Sequence, residues 1–328
     1  MSMPASRATP HAQNGNTAPE VGYRTTLGTM LVGRIEHALE AEPLSTLPGK
    51  VNLIFTSPPF PLIRKKRYGN KTGDEYLRWL SDLAPRLTKL LAKDGSLVLE
   101  LGHAWEKGKP VMSTLPIEAL LAFKASANLH LCQQFVCHNP ARLPGPAQWT
   151  NVERIRVKDA FTHVWWLSSS ERPKADNRRI LTPYSPEMKH LLKSKRYNAG
   201  RRPSGHVVGE TSFLTDNGGA IAPNVIDFSE GSEHVPNSLL TFSNTAWSAD
   251  YVNYCKKNNL KPHPARMQPG LVSFFINFLT DPKDLIFDPF AGSNTTGAVA
   301  EQLERRWLSL DANEEYVRGS RGRFPKLR

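Results

Sequence analysis

The chain has 328 residues, which is enough for one large α/β domain and a smaller inserted region. Its formal net charge of +12 and its sequence pI near 9.7 suit a partner that carries phosphates. Many soluble proteins are also basic, so charge alone does not establish nucleic-acid binding. No stretch of about 18 or more apolar residues occurs, which excludes a helix that spans a membrane.

The amino-terminal segment 1–20 is predicted to be a disordered tail. It contains three prolines and many small polar residues, and it lacks the apolar run of a signal peptide. The three cysteines of the chain have no staple-like spacing, which argues against a secreted disulfide scaffold. These features favour a protein of the reducing cytoplasm.

Strand and helix patterns alternate along residues 21–168, which we predict to be one half of an α/β domain. Short apolar runs that end at turn residues indicate buried strands, and apolar residues at helical spacing indicate the helices between them. The alternation indicates a mostly parallel sheet covered by helices. The predicted elements are a strand at 51–55, a helix at 74–91, a strand at 96–101, a helix at 115–127, and strands at 133–138 and 162–167.

Residues 169–260 differ in composition, because prolines, glycines, asparagines and charged residues replace the apolar runs. We predict an insert outside the sheet there, and the second half of the α/β domain at 261–328. Within 171–206, Lys and Arg outnumber Asp and Glu by ten to three, which suits contacts to phosphates but is also typical of a solvated face. The predicted elements after the insert are a helix at 270–279, a strand at 284–288, a helix at 295–303 and a strand at 307–310.

A cofactor motif follows the strand that ends at Asp288. Gly292 lets the backbone approach a ligand, and a helix that begins at Asn294 or Thr295 offers free N–H groups to an anion. Asp311 closes the next strand, where an acidic residue typically accepts hydrogen bonds from ribose hydroxyls. Neither the dinucleotide fingerprint nor the phosphate loop occurs, so an adenosine ligand other than NAD or ATP is favoured.

A second motif, Ser57-Pro58-Pro59-Phe60, follows the strand at 51–55. The exocyclic amine of cytosine or adenine is a poor nucleophile because its lone pair is delocalised into the ring. The Ser57 hydroxyl and the Pro58 carbonyl can accept hydrogen bonds from that amine, and Phe60 can stack on an extruded base. Each motif alone is also common in ordinary turns, but the two together are not.

With both motifs, the chain resembles the beta-class N4-cytosine DNA methyltransferases of the PvuII type. In that class the catalytic motif precedes a target-recognition insert and the cofactor motif comes last, as it does here. The resemblance covers roughly residues 22–318. The matching segments are 56–60, 64–70, 158–160, 164–166, 202–206, 216–219, 263–266 and 288–297.

The resemblance implies a Rossmann-like α/β methyltransferase sheet with helices on both faces, plus a smaller inserted target-recognition region. It implies transfer of a methyl group from S-adenosylmethionine to the N4 amine of a cytosine flipped out of double-stranded DNA. Such enzymes usually protect DNA against a companion restriction endonuclease in the cytoplasm of a bacterium, or are encoded by a phage. The sequence does not specify the recognition site, the oligomeric state or the presence of such a nuclease.

The resemblance also assigns roles to individual residues, with no metal among them. Serine at the first catalytic position favours cytosine over adenine. The implied catalytic residues are Ser57, Pro58, Pro59 and Phe60. The implied cofactor-binding residues are His263, Pro264, Ala265, Asp288, Pro289, Phe290, Ala291, Gly292, Ser293, Asn294, Thr295 and Asp311. The implied DNA-binding residues are Arg64, Lys65, Lys66, Arg67, Arg202, Ser204 and His206.

One departure from the family pattern concerns Arg34. The family usually has a Gly-Asp pair that contacts the cofactor adenine, but here Gly33 is followed by an arginine, which cannot accept a hydrogen bond from the adenine amine. Either a neighbour such as Glu36 substitutes, or cofactor binding is weakened. Two alternatives therefore stay open: an N6-adenine DNA methyltransferase of the same class, and a non-catalytic DNA-binding protein on a decayed methyltransferase scaffold.

The cysteines suggest neither a metal site nor a covalent mechanism. Cys137 and His138 would point to opposite faces of a strand, and no second ligand pair follows at finger-like spacing. No cysteine follows a proline, so the Pro-Cys nucleophile of the C5-cytosine methyltransferases is missing. We therefore expect direct methyl transfer without a covalent base adduct.

Overall fold

The structure, a computed structural model, describes residues 18–60, 71, 73–139, 141–197, 200–209, 211–227 and 244–327. The strands are β1 (Glu20–Arg24), β2 (Gly28–Val32), β3 (Val51–Thr56), β4 (Leu91–Leu101), β5 (His130–His138), β6 (Phe161–Ser168), β7 (Gly200–Arg201), β8 (Val207–Val208), β9 (Val225–Asp227), β10 (Leu285–Asp288) and β11 (Arg306–Asp311). The helices are α1 (Ile35–Ala38), α2 (Gly73–Thr88), α3 (Leu115–Ser126), α4 (Pro186–Ser194), α5 (Asn244–Lys257), α6 (Pro269–Leu279), α7 (Thr295–Gln302) and α8 (Glu314–Ser320).

Nine of the described strands form one twisted sheet in the order β1-β2-β11-β10-β3-β4-β6-β5-β9. The five central strands, from β2 to β4, are mutually parallel, whereas β6 runs antiparallel to both of its neighbours. Central strands such as β3 and β11 are almost continuously buried, because helices cover both faces of the parallel part of the sheet. Their carboxyl ends meet at one edge of the sheet, so residues that follow β3, β10 and β11 come together there.

Two apolar cores lie on opposite faces of the sheet. One core packs α1, α2 and α3 against the sheet, and the other packs α6, α7 and α8 against it. Helix α2 illustrates the cause, because its buried residues Tyr76, Leu80, Leu83 and Leu87 recur at three- and four-residue spacing and form one stripe. Helices on both faces confirm the predicted Rossmann-like α/β class.

The start of strand β4 differs from the sequence prediction. Strand β4 begins at Leu91 instead of residue 96, because Val51 pairs with Leu91 while Leu53 pairs with Ser96. The extra residues around Gly95 are accommodated as an irregularity in the strand, where a Cβ on Gly95 would lie 2.9 Å from the Val51 carbonyl oxygen. The sequence had indicated a turn at the same place.

The predicted insert is not wholly outside the sheet. Strand β9 pairs in parallel with β5, and His138 Nδ1 lies 3.1 Å from Asp227 Oδ2 at the end of that pairing. The expectation of a segment without sheet strands is therefore wrong for these three residues. A two-stranded sheet of β7 and β8 lies in the same segment. The domain boundaries at 20, 168 and 260 stay predictions, and residues 1–17 of the predicted tail lie outside the described residues.

Candidate active site

The two sequence motifs line one cleft of about 1170 Å³ at the carboxyl ends of β3, β10 and β11. Open α/β sheets bind ligands at this edge. The predicted residues that line it are Ser57, Pro58, Pro59, Phe60, His263, Pro264, Ala265, Asp288, Pro289, Phe290, Ala291, Gly292, Ser293, Thr295 and Asp311.

Asp288 organises the turn of the cofactor motif. Its carboxylate accepts hydrogen bonds from Thr296 Oγ1 at 2.6 Å, from Thr56 Oγ1 at 3.0 Å and from the backbone N–H of Phe290 at 3.1 Å. Burial raises the pKa of this carboxyl to about 6. Because three donors from the protein already occupy it, Asp288 stabilises the end of β3, the turn and the start of α7 relative to one another.

Gly292 lies in close contact with the His263 ring. Its φ of +51° lies in the left-handed region, and a Cβ there would be 3.1 Å from the His263 ring. The backbone N–H of Gly292 donates to Asp311 Oδ2 at 2.8 Å, and the N–H of Asn313 donates to Asp311 Oδ1 at 2.8 Å. Burial raises the pKa of Asp311, although both backbone bonds favour its ionised form.

Asn294 does not lie on the wall of the cleft, in contrast to the other residues of its motif that the sequence assigned to the cofactor. It caps α7 from a left-handed conformation: its Oδ1 accepts from the N–H of Gly297 at 3.0 Å and its Nδ2 donates to Tyr23 Oη at 3.0 Å. The buried guanidinium of Arg323 donates to the Ser293 carbonyl oxygen at 3.2 Å. Asn294 therefore supports the turn from behind.

His263 closes the opposite side of the cofactor motif. Its Nδ1 is hydrogen-bonded to the carbonyl oxygen of Ala265, and its ring packs edge-on against Tyr316 with a centroid distance of 4.6 Å. Burial lowers the pKa of this imidazole, which favours the neutral ring at physiological pH. A fixed neutral ring beside Gly292 shapes the cleft without adding a charge.

Ser57 has a partner that sequence reasoning missed. Glu100 lies near the end of β4 and lines the cleft together with Ser57. Thr56 lies opposite Leu99 in the β3–β4 register, so Ser57 and Glu100 follow on neighbouring strands, and the Ser57 side chain lowers the pKa of the Glu100 carboxyl. Thr162 Oγ1 donates to Glu100 Oε1 at 3.0 Å. Burial raises the pKa of Glu100 despite these bonds and the nearby charge of Arg142. The sequence signal that could have identified Glu100 as a functional residue is its place as a glutamate within the apolar run Leu97–Leu101.

The Phe60 ring has a fixed place beside this pair. It lies against Gly102, where a Cβ would come within 2.5 Å of the ring. The other side chains at this end of the cleft include Asn139, Arg142 and Phe161, none of which the sequence singled out. A planar ring, a hydroxyl and a carboxylate thus surround one space, which suits a planar base with an exocyclic amine.

The predicted DNA-binding residues divide into two groups. Residues 64–67 lie outside the described residues. Arg202, Ser204 and His206 form the exposed turn between β7 and β8, and none of them lines the cleft. Arg202 NH2 lies 3.3 Å from Tyr197 Oη, and its guanidinium lies over that ring. The turn therefore presents polar side chains to solvent at a place separate from the catalytic pair.

One cysteine lines the described cleft. Burial raises the pKa of the Cys137 thiol to about 12, so the thiol that lines the cleft is not a nucleophile at neutral pH. Within the described ranges, no cluster of three His, Cys, Asp or Glu residues has the arrangement of a metal site. In the same part of the chain, no helix is long and apolar enough to cross a membrane.

The cofactor end of the cleft fits S-adenosylmethionine. Asp311 would offer a carboxylate to ribose hydroxyls and Phe290 would offer a ring to adenine, and both residues line the cleft together with Gly292. The cleft volume of about 1170 Å³ is above the range of about 300–1,000 Å³ that one small ligand usually occupies. There is therefore space for a base beside the cofactor.

Comparisons with known proteins agree with this geometry. A family model described as DNA methylase matches residues 51–321. The type II methyltransferase M.PvuII of Proteus hauseri is 41% identical over 311 residues, which cover 94% of this chain and 87% of that protein. The solved structure of the cytosine-N4-specific PvuII DNA methyltransferase is 34% identical, with a TM-score of 0.68 over 93% of this chain and 89% of that one.

The TTHA0409 protein of Thermus thermophilus, solved in complex with S-adenosyl-L-methionine, shares the fold at 15% identity. Its TM-score is 0.51 over 90% of this chain and 92% of that one. The family match extends over most of the chain, from the strand before Ser57 to the end of the last helix. The chain therefore belongs to the DNA methylase family, and its methyl donor is S-adenosylmethionine.

Proposed function

We propose that this protein methylates the N4 amine of a specific cytosine that has been flipped out of duplex DNA. The observation that carries the proposal is the position of Ser57 and Glu100, which follow the paired residues Thr56 and Leu99 on neighbouring strands and line the same cleft as the cofactor motif. The similarity to the PvuII enzyme, which is specific for the N4 position of cytosine, supports the choice of base. So does the serine at the first catalytic position, because adenine-directed relatives more often have Asp or Asn there.

Ser57 and Pro58 prepare the amine for attack. Because the Ser57 hydroxyl is engaged with Glu100, its lone pairs stay available to accept a hydrogen bond from the amine, as does the Pro58 carbonyl oxygen. Two acceptors draw the amine towards tetrahedral geometry, which localises the nitrogen lone pair. Phe60, fixed against Gly102, stacks on the base and keeps the nitrogen in line with its target.

S-adenosylmethionine supplies a methyl group bound to a positively charged sulfur. Transfer of that methyl group to the amine would leave a neutral thioether and one excess proton on the nitrogen. Glu100 is the acceptor for that proton, either directly or through the Ser57 hydroxyl. Its burial supports the role, because a raised pKa makes the carboxylate a stronger base.

We expect two parts of the chain to contact DNA, namely residues 64–67 and the segment 169–260. The excess of Lys and Arg in 171–206 would supply the charge for phosphates, and we expect side chains of the exposed turn at 202–206 to contact base edges. We further propose that methylation protects DNA against a companion restriction endonuclease in a bacterial cytoplasm. The type II designation of the M.PvuII relative supports this part.

The test is methylation of DNA by the purified protein. Unmethylated genomic DNA is incubated with S-adenosylmethionine, digested to nucleosides for mass spectrometry, and sequenced to locate the modified positions. N4-methylcytosine at one short sequence, absent with the variant S57A, is the expected result. N6-methyladenine would overturn the choice of base but keep the enzyme class. No methylation would instead support the non-catalytic DNA-binding alternative.

A further inference from the structure

The turn after β2 lies beside the residue that is placed for the ribose. Val32 pairs with Asp311 in the parallel register of β2 and β11, and the backbone N–H of Gly33 donates to the Asp311 carbonyl oxygen at 3.0 Å. Residues 33–36 line the same cleft as Asp311 and Phe290. Because a base is attached directly to its ribose, this turn is next to the space for the adenine.

Arg34 cannot make the contact that an adenine amine requires. A guanidinium has only donors, and so does the exocyclic amine, so the two groups do not form a hydrogen bond. The Arg34 side chain is 64% exposed, and its NH2 lies 3.6 Å from Glu36 Oε1. The neighbouring side chain in this turn that can accept a hydrogen bond from the adenine amine is therefore Glu36.

Glu36 is held in a defined position on the cleft wall. Its Oε1 accepts a hydrogen bond from Trp79 Nε1 at 2.8 Å, and its backbone carbonyl oxygen accepts from Arg86 NH2 at 2.6 Å. The Trp79 and Arg34 contacts both go to Oε1, so Oε2 takes part in neither. The Trp79 ring packs edge-on against Phe290 with a centroid distance of 5.6 Å, which joins the carboxylate to the ring that faces the adenine.

Glu36 is ionised under physiological conditions. Partial burial opposes the charge, but the backbone N–H, the Trp79 indole and the charge of Arg34 together hold the pKa of this carboxyl below its usual range. An ionised carboxylate only accepts hydrogen bonds, which matches a ligand group that only donates. The position beside Phe290 thus offers a hydrogen-bond acceptor. An acceptor pairs with the amine of an amino-purine but not with the carbonyl oxygen of an oxo-purine.

We infer that Glu36 accepts a hydrogen bond from the exocyclic amine of the cofactor adenine, with Arg34 supporting its negative charge. The inference rests on the proposed function, because it assumes the cofactor in this cleft. Glu36 would then determine specificity for the adenine of the cofactor and would not contact the reacting methyl group. Arg34 is then a supporting residue and no sign of a decayed site.

The test measures binding without turnover, with two ligands that differ at one group. S-adenosylhomocysteine has the adenine amine, and S-inosylhomocysteine has a carbonyl oxygen in its place. Titration calorimetry gives Kd for both ligands with the full-length protein and with E36A, E36Q and E40A. Glu40 is the matched control, since it also contacts Arg86, at 3.0 Å, and does not line the cleft.

We expect E36A to weaken the binding of S-adenosylhomocysteine about ten-fold or more, because a hydrogen bond to a charged group is lost. The affinity for S-inosylhomocysteine should not change. In E36Q the amide oxygen can keep the bond from Trp79 while the amide N–H faces the ligand. This variant should therefore reverse the preference and bind the inosine ligand more tightly. E40A should bind like the unmodified protein.

Three results would overturn the inference. Equal loss of both ligands in E36A would mean that Glu36 acts only by positioning Trp79. Unchanged binding of S-adenosylhomocysteine in E36A and E36Q would remove Glu36 from the site. If the unmodified protein bound neither ligand, the cofactor assignment would fail and the inference with it, a result distinct from selective loss in the variants. Melting temperatures of all variants establish that each is folded.

Discussion

Thr56 and Asp288, which are 232 residues apart in the chain, share a buried hydrogen bond of 3.0 Å at the ends of two neighbouring parallel strands. Thr56 directly precedes Ser57, the proposed catalytic residue, and Asp288 begins the proposed cofactor motif. The bond therefore fixes the two halves of the reaction relative to each other. Methyl transfer needs in-line geometry, so we expect stability and turnover to depend on this contact together.

The variant T56V tests this coupling. Valine has the shape of threonine but no donor, so one of three bonds to the buried Asp288 carboxylate is lost. We expect the free energy of unfolding in urea to fall by about 1–2 kcal/mol and kcat to fall with it. The control is T46V, whose hydroxyl bonds the Pro43 carbonyl oxygen in an exposed turn. Equal stability of the two variants would show that the contact adds nothing.

The variant E100Q tests the proton acceptor. The amide keeps the size of the carboxylate but cannot take a proton, so we expect the single-turnover rate to fall about 100-fold or more. Binding of S-adenosylhomocysteine should stay within about two-fold, because Glu100 lies at the base end of the cleft. A rate within a few-fold of the unmodified enzyme would exclude Glu100 as the acceptor.

The pH dependence of the single-turnover rate is a second test of Glu100. Glu100 accepts a proton only when it is ionised, and burial raises its pKa. The single-turnover rate should therefore rise with pH through a value above that of an ordinary glutamate, and E100Q should lack this rise. S57A is the companion variant: it should slow turnover far more than it weakens cofactor binding, and it should retain the rise.

The location of both motifs could be predicted from the sequence because their signals are local. An apolar strand followed by turn residues, as in Val51–Thr56 and Leu285–Asp288, indicates the end of a buried parallel strand. Such ends meet at one edge of the sheet, so Ser57 and Gly292 had to lie near each other. The order of the motifs along the chain then indicated the class.

The partners of these residues could not be predicted, because they depend on register between distant strands. Glu100 reaches Ser57 only because β4 lies beside β3 with Thr56 opposite Leu99. The turn of Asn294 into the left-handed region places its side chain behind the cleft, and no local pattern distinguished it from its neighbours. Strand β9 joins the sheet through three residues, too few for a detectable alternation.

The variant R202A tests the role of the β7–β8 turn in reading DNA. Arginine donors pair with guanine in the major groove, and a lost pair of this kind costs about 1–3 kcal/mol of discrimination. We therefore expect binding to duplexes that contain the methylated site to weaken about ten-fold, and binding to unrelated duplexes to weaken less. Fluorescence anisotropy at fixed salt measures both affinities.

The control for this variant is R178A. Arg178 lies in the same basic segment but is paired with Asp176, with 2.8 Å between Arg178 Nε and Asp176 Oδ1. Its loss should change neither affinity by more than about two-fold. If R202A weakened specific and unrelated duplexes equally and reduced the salt dependence by about one ion, Arg202 would contact a phosphate and not a base.

The variant D288N tests the cost of the buried carboxylate in the cofactor motif. Burial raises the pKa of Asp288 from the ordinary 3.8 to about 6. Because the folded-state pKa is the higher one, the protonated group stabilises the fold below about pH 4, and that contribution is lost as the pH rises through about 6. The shift corresponds to about 3 kcal/mol when the carboxyl is fully ionised.

Asparagine is neutral at every pH, so D288N should be more stable than the unmodified protein at pH 7.5 by up to about 3 kcal/mol in urea unfolding. At pH 4 the difference should nearly vanish, since Asp288 is then protonated in the folded protein. The exposed variant D94N should show no comparable gain between the two pH values. A gain of the same size at pH 4 and pH 7.5 would mean that the effect comes from altered hydrogen bonds to Thr56 and Thr296 and not from the charge.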